Sequence, residues 1–286
     1  AAKDVIDMNI YELYKDQTEA DPLLRAIKSY QGVLFEEWNK ETIWGAWGRN
    51  PTNTGLGAIG FYLYSRCMPP RVCELGVGGF CPSLKLVDTY PMAKSGRYPV
   101  TGYDNNGNPV IDKQSGFTEN FKQPGASFAP GFKAHNSCVG RDARFYASVF
   151  PNGFYWINQY KGIKQVTFFT GGSSSYLESG DCVKVGYLWR RPLDPALNTE
   201  SGSWGTVFWP YFRLAEIYLD YAEACNEKPE RNETEALKYI NLVRERSGLN
   251  ALETAYPEVK GNKDLLRMLI QKERMVELAF EGHRYY

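Results

Sequence analysis

Two apolar stripes near the C-terminus restrict the fold most. In "FRLAEIYLDYAEACNE", Leu214, Ile217, Tyr218, Tyr221, Ala222 and Cys225 recur at helical spacing. In "NETEALKYINLVRERSG", Asn232 stands as a cap with Glu235 three residues on, Ala236, Ile240 and Val243 form the stripe, and Gly248 marks the stop. Only "KPERN" separates them, so the two helices must be antiparallel neighbours. A third stripe in "NKDLLRMLIQKERMVELAFEG" carries Leu265, Leu269, Val276 and Phe280. A lone helix pair leaves one apolar face bare, and stacked pairs cover it, which is the logic of a tetratricopeptide-like scaffold. The expected cover comes from helices near the N-terminus and from chain upstream of residue 1.

The N-terminal stretch reads as helical over residues 1–36, with Asp21 capping and Pro22 opening "DPLLRAIKSYQGVLFEE". "ETIWGAWGR" reads as a short strand leaving that helix. Residues 48–205 differ: Gly, Pro, Asn and Ser interrupt every few positions, and no helix longer than two turns is expected. Asn106-Gly107 in "YPVTGYDNNGNPVID" predicts a hairpin turn, because both residues tolerate positive φ. Asp104, Asn106 and Asn108 also echo a calcium loop, but the later Glu ligand is missing, so the turn is preferred. "RFYASVF" and "KQVTFFTG" read as strands. Loops this long in a compact domain usually carry function.

Charge and cysteine content narrow the partners. Lys+Arg and Asp+Glu number 33 each among 286 residues, so no broad basic field favours nucleic acid. Two histidines argue against His-based catalysis or a His-rich metal site. Six cysteines include no Cys-x-x-Cys pair. Three of them lie between Cys67 and Cys81, where a disulfide such as Cys73–Cys81 and reduced thiols are both open readings; Cys225 reads as a core thiol. No run of about 18 apolar residues spans a membrane. No nucleophile elbow, phosphate loop or dinucleotide fingerprint is present. Two suitably placed carboxylates would suffice for glycoside hydrolysis; Glu178 and Asp181 are one such pair, although an exposed turn is the plainer reading.

Aromatic residues make up 15% of the chain, with 20 Tyr, 15 Phe and 7 Trp, and many fall in the Gly-rich stretches. Flat rings with polar tips stack on the C–H faces of sugars while Asn, Asp and Arg bind the hydroxyls. "WGAWGRNPTNTGLGAIGFYLYSR" supplies Trp47, Arg49, Asn53 and Tyr62 as candidate ligand-binding residues, with Trp204 in "LNTESGSWGTVFW" as a second platform. Trp44 and Trp156, inside more regular segments, are expected in the core. In "ERMVELAFEGHRYY", Glu281, His283 and Arg284 are either a catalytic trio or a buried polar lock, with Arg274 and Arg284 pairing the carboxylates Glu277 and Glu281. Because buried charges are normally paired for structural reasons, the lock is expected.

The three helical segments, together with "AAKDVIDMNIYELY", "PSLKLVDTYPM" followed by "SGRYP", and "RDARFYASVFPNGFYW", resemble in order the SusD/RagB family of nutrient-binding outer-membrane lipoproteins of the Bacteroidetes. The resemblance implies a mainly α fold in one domain: a tetratricopeptide-like scaffold with a large loop-rich region containing short β-strands. Residues 1–47 would be helices and a short strand, 48–210 the ligand-facing region, and 211–286 the helical signature region, the whole truncated at both ends. It implies non-catalytic binding of an oligosaccharide or polysaccharide, with a peptide as the alternative ligand and glycoside hydrolysis as a lesser one. It further implies no cofactor and no metal, a lipid anchor upstream on the outer surface of the outer membrane, and a SusC-like TonB-dependent transporter as partner. No ligand motif transfers residue by residue, so the candidate site rests on the aromatic and polar pattern alone.

Overall fold

The computed structural model describes residues 1–46, 63–73, 75–118, 134–156, 165–175, 180–194, 198 and 208–283. The elements are α1 (Ala2–Asp7), α2 (Pro22–Phe35), β1 (Thr42–Ala46), α3 (Leu84–Thr89), β2 (Val100–Tyr103), β3 (Pro109–Ile111), α4 (Ala143–Ser148), β4 (Val149–Pro151), β5 (Tyr187–Trp189), β6 (Trp209–Arg213), α5 (Leu214–Glu227), α6 (Glu233–Arg246), α7 (Leu252–Ala255) and α8 (Lys263–Glu277). The fold is mainly helical and tetratricopeptide-like, as expected.

The frame is α5, α6 and α8, with α5 in contact with both α6 and α8, and α1 laid against α5. The caps expected at Asp21 and Asn232 are formed, and Asn262 caps α8 in the same way. Asp21, Asn232 and Asn262 each accept a hydrogen bond from the backbone N–H three residues on, at 2.9, 3.1 and 3.0 Å. Gly248 ends α6 at φ 76°, and the Leu249 N–H returns to the Arg244 carbonyl. Ala236, Ile240 and Val243 are fully buried along α6. On α8 the buried stripe runs through Leu266, Leu269, Ile270 and Val276, while Leu265 is only partly covered. At about 25 cal/mol per Å² of apolar surface, packing of these stripes is what makes three short helices stable together.

Among the described residues three antiparallel two-stranded sheets decorate this frame: β1–β6, β2–β3 and β4–β5. The β2–β3 hairpin is the one anticipated at Asn106-Gly107. Asp104 Oδ1 accepts from the N–H groups of Asn106 and Asn108 at 2.8 Å each, Oδ2 accepts from the Asn108 amide, and Gly107 takes φ 82°. The carboxylate is thus spent on its own turn.

Three segments depart from the sequence reading. The N-terminal stretch is not continuously helical: α1 ends at Asp7, Asn9 adopts φ 52°, and the chain has no regular secondary structure until α2. "RFYASVF" begins as helix α4 and only then becomes strand β4; Asp142 caps it by accepting from the Arg144 N–H, and the helix is buried on every side, which erases any amphipathic period. "KQVTFFTG" contributes a single bridge, Gln165 to Tyr155, rather than a strand. Cys81 is a free thiol, so the Cys73–Cys81 disulfide is not formed; Cys225 is a buried core thiol.

Candidate functional site

At the ends of the scaffold helices lies a single connected network of ten charged side chains, all nearly or wholly buried. Arg144, Arg191, Arg213, Arg244 and Arg246 meet Glu41, Asp142, Glu273, Glu277 and Glu281, five charges of each sign. Arg213, at the junction of β6 and α5, uses all five of its N–H donors: on Glu41 (2.6 Å), on the carboxylate (2.6 Å) and carbonyl (2.7 Å) of Glu277, and bidentately on Glu281 (2.8 Å twice). Arg144 reaches Asp142, Glu273 and Glu277 at 2.6, 2.6 and 3.0 Å. Arg246 bridges Glu41 and Glu277. Tyr98 donates its hydroxyl to Glu273 at 2.7 Å, and Tyr30 lies under the Arg191 guanidinium, 4.1 Å from ring centroid to guanidinium carbon.

Burial alone would push these carboxyls up. For Glu277 the guanidinium groups of Arg246, Arg213 and Arg144 outweigh burial and hold it well below the usual range. Glu273 and Glu281 are lowered in the same way, by Arg144 with Arg244 and by Arg191 with Arg213. In Asp142 burial prevails and the pKa rises despite Arg144. Taking ten charges out of water is costly, and such a network adds little net stability over a packed apolar core. Its effect is to fix register: it ties residue 41, helix α4, residue 191, the start of α5, the end of α6 and the end of α8 to one another. Each carboxylate of the network is at most 1% exposed at its side chain and faces guanidinium partners, the surroundings of a structural tie.

The expected lock therefore exists, with other partners. Arg274 pairs with Asp220 rather than with Glu277, and His283 donates its ring to Glu216 at 3.0 Å. That hydrogen bond is the main reason His283 is raised above its ordinary value. Arg284, Tyr285 and Tyr286 lie outside the described residues.

One residue along β6 from Arg213 the chemistry reverses. Phe212 is 45% exposed and Tyr211 46%, and Trp44, on the paired strand β1, is 57% exposed. Trp44 stacks on Phe212 at 5.9 Å between centroids and 19° between planes, and leans on Tyr211 at 5.1 Å. This corrects the expectation that Trp44 is a core residue; Trp156, at 5% exposure, is one. The reason is register. Trp44 pairs with Phe212, β1 is an edge strand of a two-stranded sheet, and its neighbour Gly45 has no room for a side chain because a Cβ there would stand 2.3 Å from the Phe208 ring. The opposite face is closed by Phe208, so Trp44 faces outward.

Ala46 pairs with Trp209 at the far end of the same sheet. The chain therefore leaves β1 toward residue 47 beside the place where it enters β6. Trp47, Arg49, Asn53, Tyr62 and Trp204, the candidate binders, all lie outside the described residues, and so does Glu178. Asp181 is exposed, Tyr64 is buried, and exposed Arg66 lies 6.0 Å from the Phe80 ring. Three described cavities, of about 540, 370 and 470 Å³, are each lined by no more than one carboxylate: Glu223, Asp88 and none. Among the described residues no group of three His, Cys, Asp or Glu side chains could hold a metal ion, and no helix is long and apolar enough to cross a membrane.

A family model described as the SusD family matches residues 40–286, a span that includes all ten residues of the network. The chain belongs to the SusD family. A SusD-like protein from Bacteroides fragilis has a solved structure that superimposes with a TM-score of 0.68 at 24% identity, covering 100% of this chain and 48% of that one. A SusD-like carbohydrate binding protein from Bacteroides fragilis superimposes with a TM-score of 0.61 at 18% identity over 99% of this chain and 46% of that one. The SusD-like protein P2 of Formosa agariphila is 40% identical over 76 residues, 26% of this chain and 15% of that protein. The chain thus spans about half the length of its solved SusD-like relatives.

Most of the network was not read from the sequence, yet part of it left a signal. Glu273 lies seven residues after Leu266 and three after Ile270, and Glu277 follows Glu273 by four, so both carboxylates are in phase with the apolar stripe of α8. Arg244 stands four after Ile240 on the buried side of α6. Charges in phase with an apolar face announce buried partners. Glu41 and Arg191, in irregular chain, carried no such signal.

Proposed function

We infer that this chain is a non-catalytic nutrient-binding protein of the bacterial cell surface, and that its ligand is an oligosaccharide or polysaccharide. The observation that carries the reading is the exposed Trp44–Tyr211–Phe212 cluster. It stands on a sheet held rigidly by the Arg213 network, beside the points where the segments bearing Trp47 and Trp204 begin and end. Preformed aromatic surfaces bind with little ordering cost. Family membership, and a structural relative described as carbohydrate binding, support the same reading.

In the proposed arrangement, residues 1–47 and 211–286 frame the ligand-facing stretch 48–210, and the face extends onto Trp44, Tyr211 and Phe212 at its two borders. Trp47, Arg49, Asn53, Tyr62 and Trp204 complete it. The protein is held at the outer membrane by an upstream lipid anchor and passes its ligand to a SusC-like TonB-dependent transporter. Isothermal titration against a glycan panel and a peptide pool tests this: a glycan is expected to bind, no new reducing ends are expected to form, and binding of peptides alone would overturn the sugar assignment.

A further inference from the structure

A second site is built around Arg141, on elements the aromatic face does not touch. Its cavity of about 370 Å³ lies among α3, the β2–β3 hairpin, the segment before α4 and β5. Arg141 is 1% exposed and forms no ion pair among the described residues, unlike the five arginines of the buried network. Its Nε donates to the Ser137 carbonyl at 2.7 Å and its Nη1 to the Tyr90 carbonyl. Nη2 has no hydrogen-bond acceptor among the described residues, yet it is not among the sealed polar atoms, so the space it meets is the cavity that Arg141 lines. Asp88 lines the same cavity. Its Oδ2 accepts from the Tyr103 hydroxyl at 2.8 Å, while Oδ1 accepts from no described group. Burial raises the Asp88 pKa and lowers that of Arg141, so each charge lacks adequate compensation where it stands. Phe117, with its ring centroid 5.8 Å from the Arg141 guanidinium carbon, and Tyr187 supply flat apolar walls.

We propose that this cavity binds a single saccharide ring through two adjacent hydroxyls, one oxygen accepting from Arg141 Nη2 and the neighbouring hydroxyl donating to Asp88 Oδ1, with the ring's C–H face against Phe117 or Tyr187. A donor and an acceptor that face one cavity without pairing to each other fit a vicinal diol, which offers both roles on neighbouring atoms. The volume lies at the lower end of small-ligand pockets, which suits one ring rather than an extended chain. The proposal rests on the saccharide reading above but places a separate subsite on separate residues.

The test uses the whole chain and ligand-observed NMR with methyl glycosides of glucose, galactose and mannose, their monodeoxy analogues and the methyl glycoside of glucuronic acid. Two variants address the cavity. Asp88→Asn removes the anionic acceptor. Gly186→Phe fills the cavity from a position that lines it and whose Cβ would meet nothing within 4 Å, and its unfolding midpoint is measured alongside to confirm that it folds. At least one neutral glycoside is expected to bind, to lose about tenfold in affinity on removal of one of the two hydroxyls, and to lose as much in either variant, corresponding to about 1.4 kcal/mol. Trp44→Ala is expected to leave this binding unchanged. Binding indifferent to both cavity variants, absence of monosaccharide binding, or a preference above tenfold for the glucuronide would each overturn the proposal, the last by marking an anion site. Oligosaccharide binding that is lost in Trp44→Ala and kept in Gly186→Phe, with no monosaccharide bound, would sink the subsite and leave the aromatic face standing.

Discussion

Strand β6 puts two opposite solutions side by side. Arg213 is 1% exposed and saturated by carboxylates, whereas Tyr211 and Phe212 just before it are nearly half exposed. This inverts the usual rule, under which charges are left in water and large rings are withdrawn. Each half explains the other. A pair of strands this short has no stability of its own, so a face of exposed rings can persist only if something anchors the strands from behind. The guanidinium of Arg213 does so, fixing β6 to Glu277 at the C-terminal end of α8, to Glu281 just beyond it and to Glu41 at the base of β1. One region holds position and the other presents surface.

The largest expected effect breaks the anchoring half. Glu277→Gln leaves Arg144, Arg213 and Arg246 short of one negative charge in a sealed space. A loss of about 3–5 kcal/mol is expected in urea unfolding, because removing one member of a buried ion group strands the others. Acid acts in the same direction. Glu273, Glu277 and Glu281 have folded pKa values below their unfolded ones, so their contribution is present above about pH 4.5 and disappears as pH falls through the folded values. A stability-versus-pH curve flat from neutrality down to pH 3 would contradict the network.

The presenting half is expected to behave otherwise. Trp44→Ala with Tyr211→Ala should weaken oligosaccharide binding about tenfold or more, at about 0.5–1.5 kcal/mol per ring stack, while leaving the unfolding midpoint nearly unchanged. Unchanged affinity with a large drop in stability would mean these rings serve packing.

Two smaller effects sharpen the boundary between the regions. Gly107→Ala should cost about 1 kcal/mol, purely through its φ of 82°, since a Cβ there meets nothing; ligand affinity on the β1–β6 face should not move. The His283–Glu216 pair is partly exposed and should give less than about 1 kcal/mol. Because the folded pKa of His283 is raised, its contribution is full below about pH 6.5 and lost as pH climbs through the folded value. The slope of stability near neutral pH should flatten in His283→Gln, as followed by thermal melts at several pH values.

Legibility followed locality. The caps at Asp21, Asn232 and Asn262, the stop at Gly248 and the hairpin at Asn106-Gly107 are local chemistry, and each could be named from a few neighbouring residues. Helix α4 could not, because a helix buried all round shows no period; its only local mark was Asp142, whose carboxylate also belongs to the network. Trp44 was misplaced for a related reason. Its segment is apolar, and only the pairing with Phe212 and the blockade of Gly45 by Phe208 decide which face it shows.

From the amino-acid order alone came the helical frame, the family and the expectation that carboxylates and guanidinium groups near the end of α8 would lock together. The identity of the partners belonged to the tertiary structure, since Glu277 finds Arg144 and Arg213 across separations of 133 and 64 residues. An ion pair between distant segments depends on how whole elements pack, and no spacing along the chain encodes it. The same holds for the outward turn of Trp44 and for the meeting of Asp88 and Arg141 around one cavity.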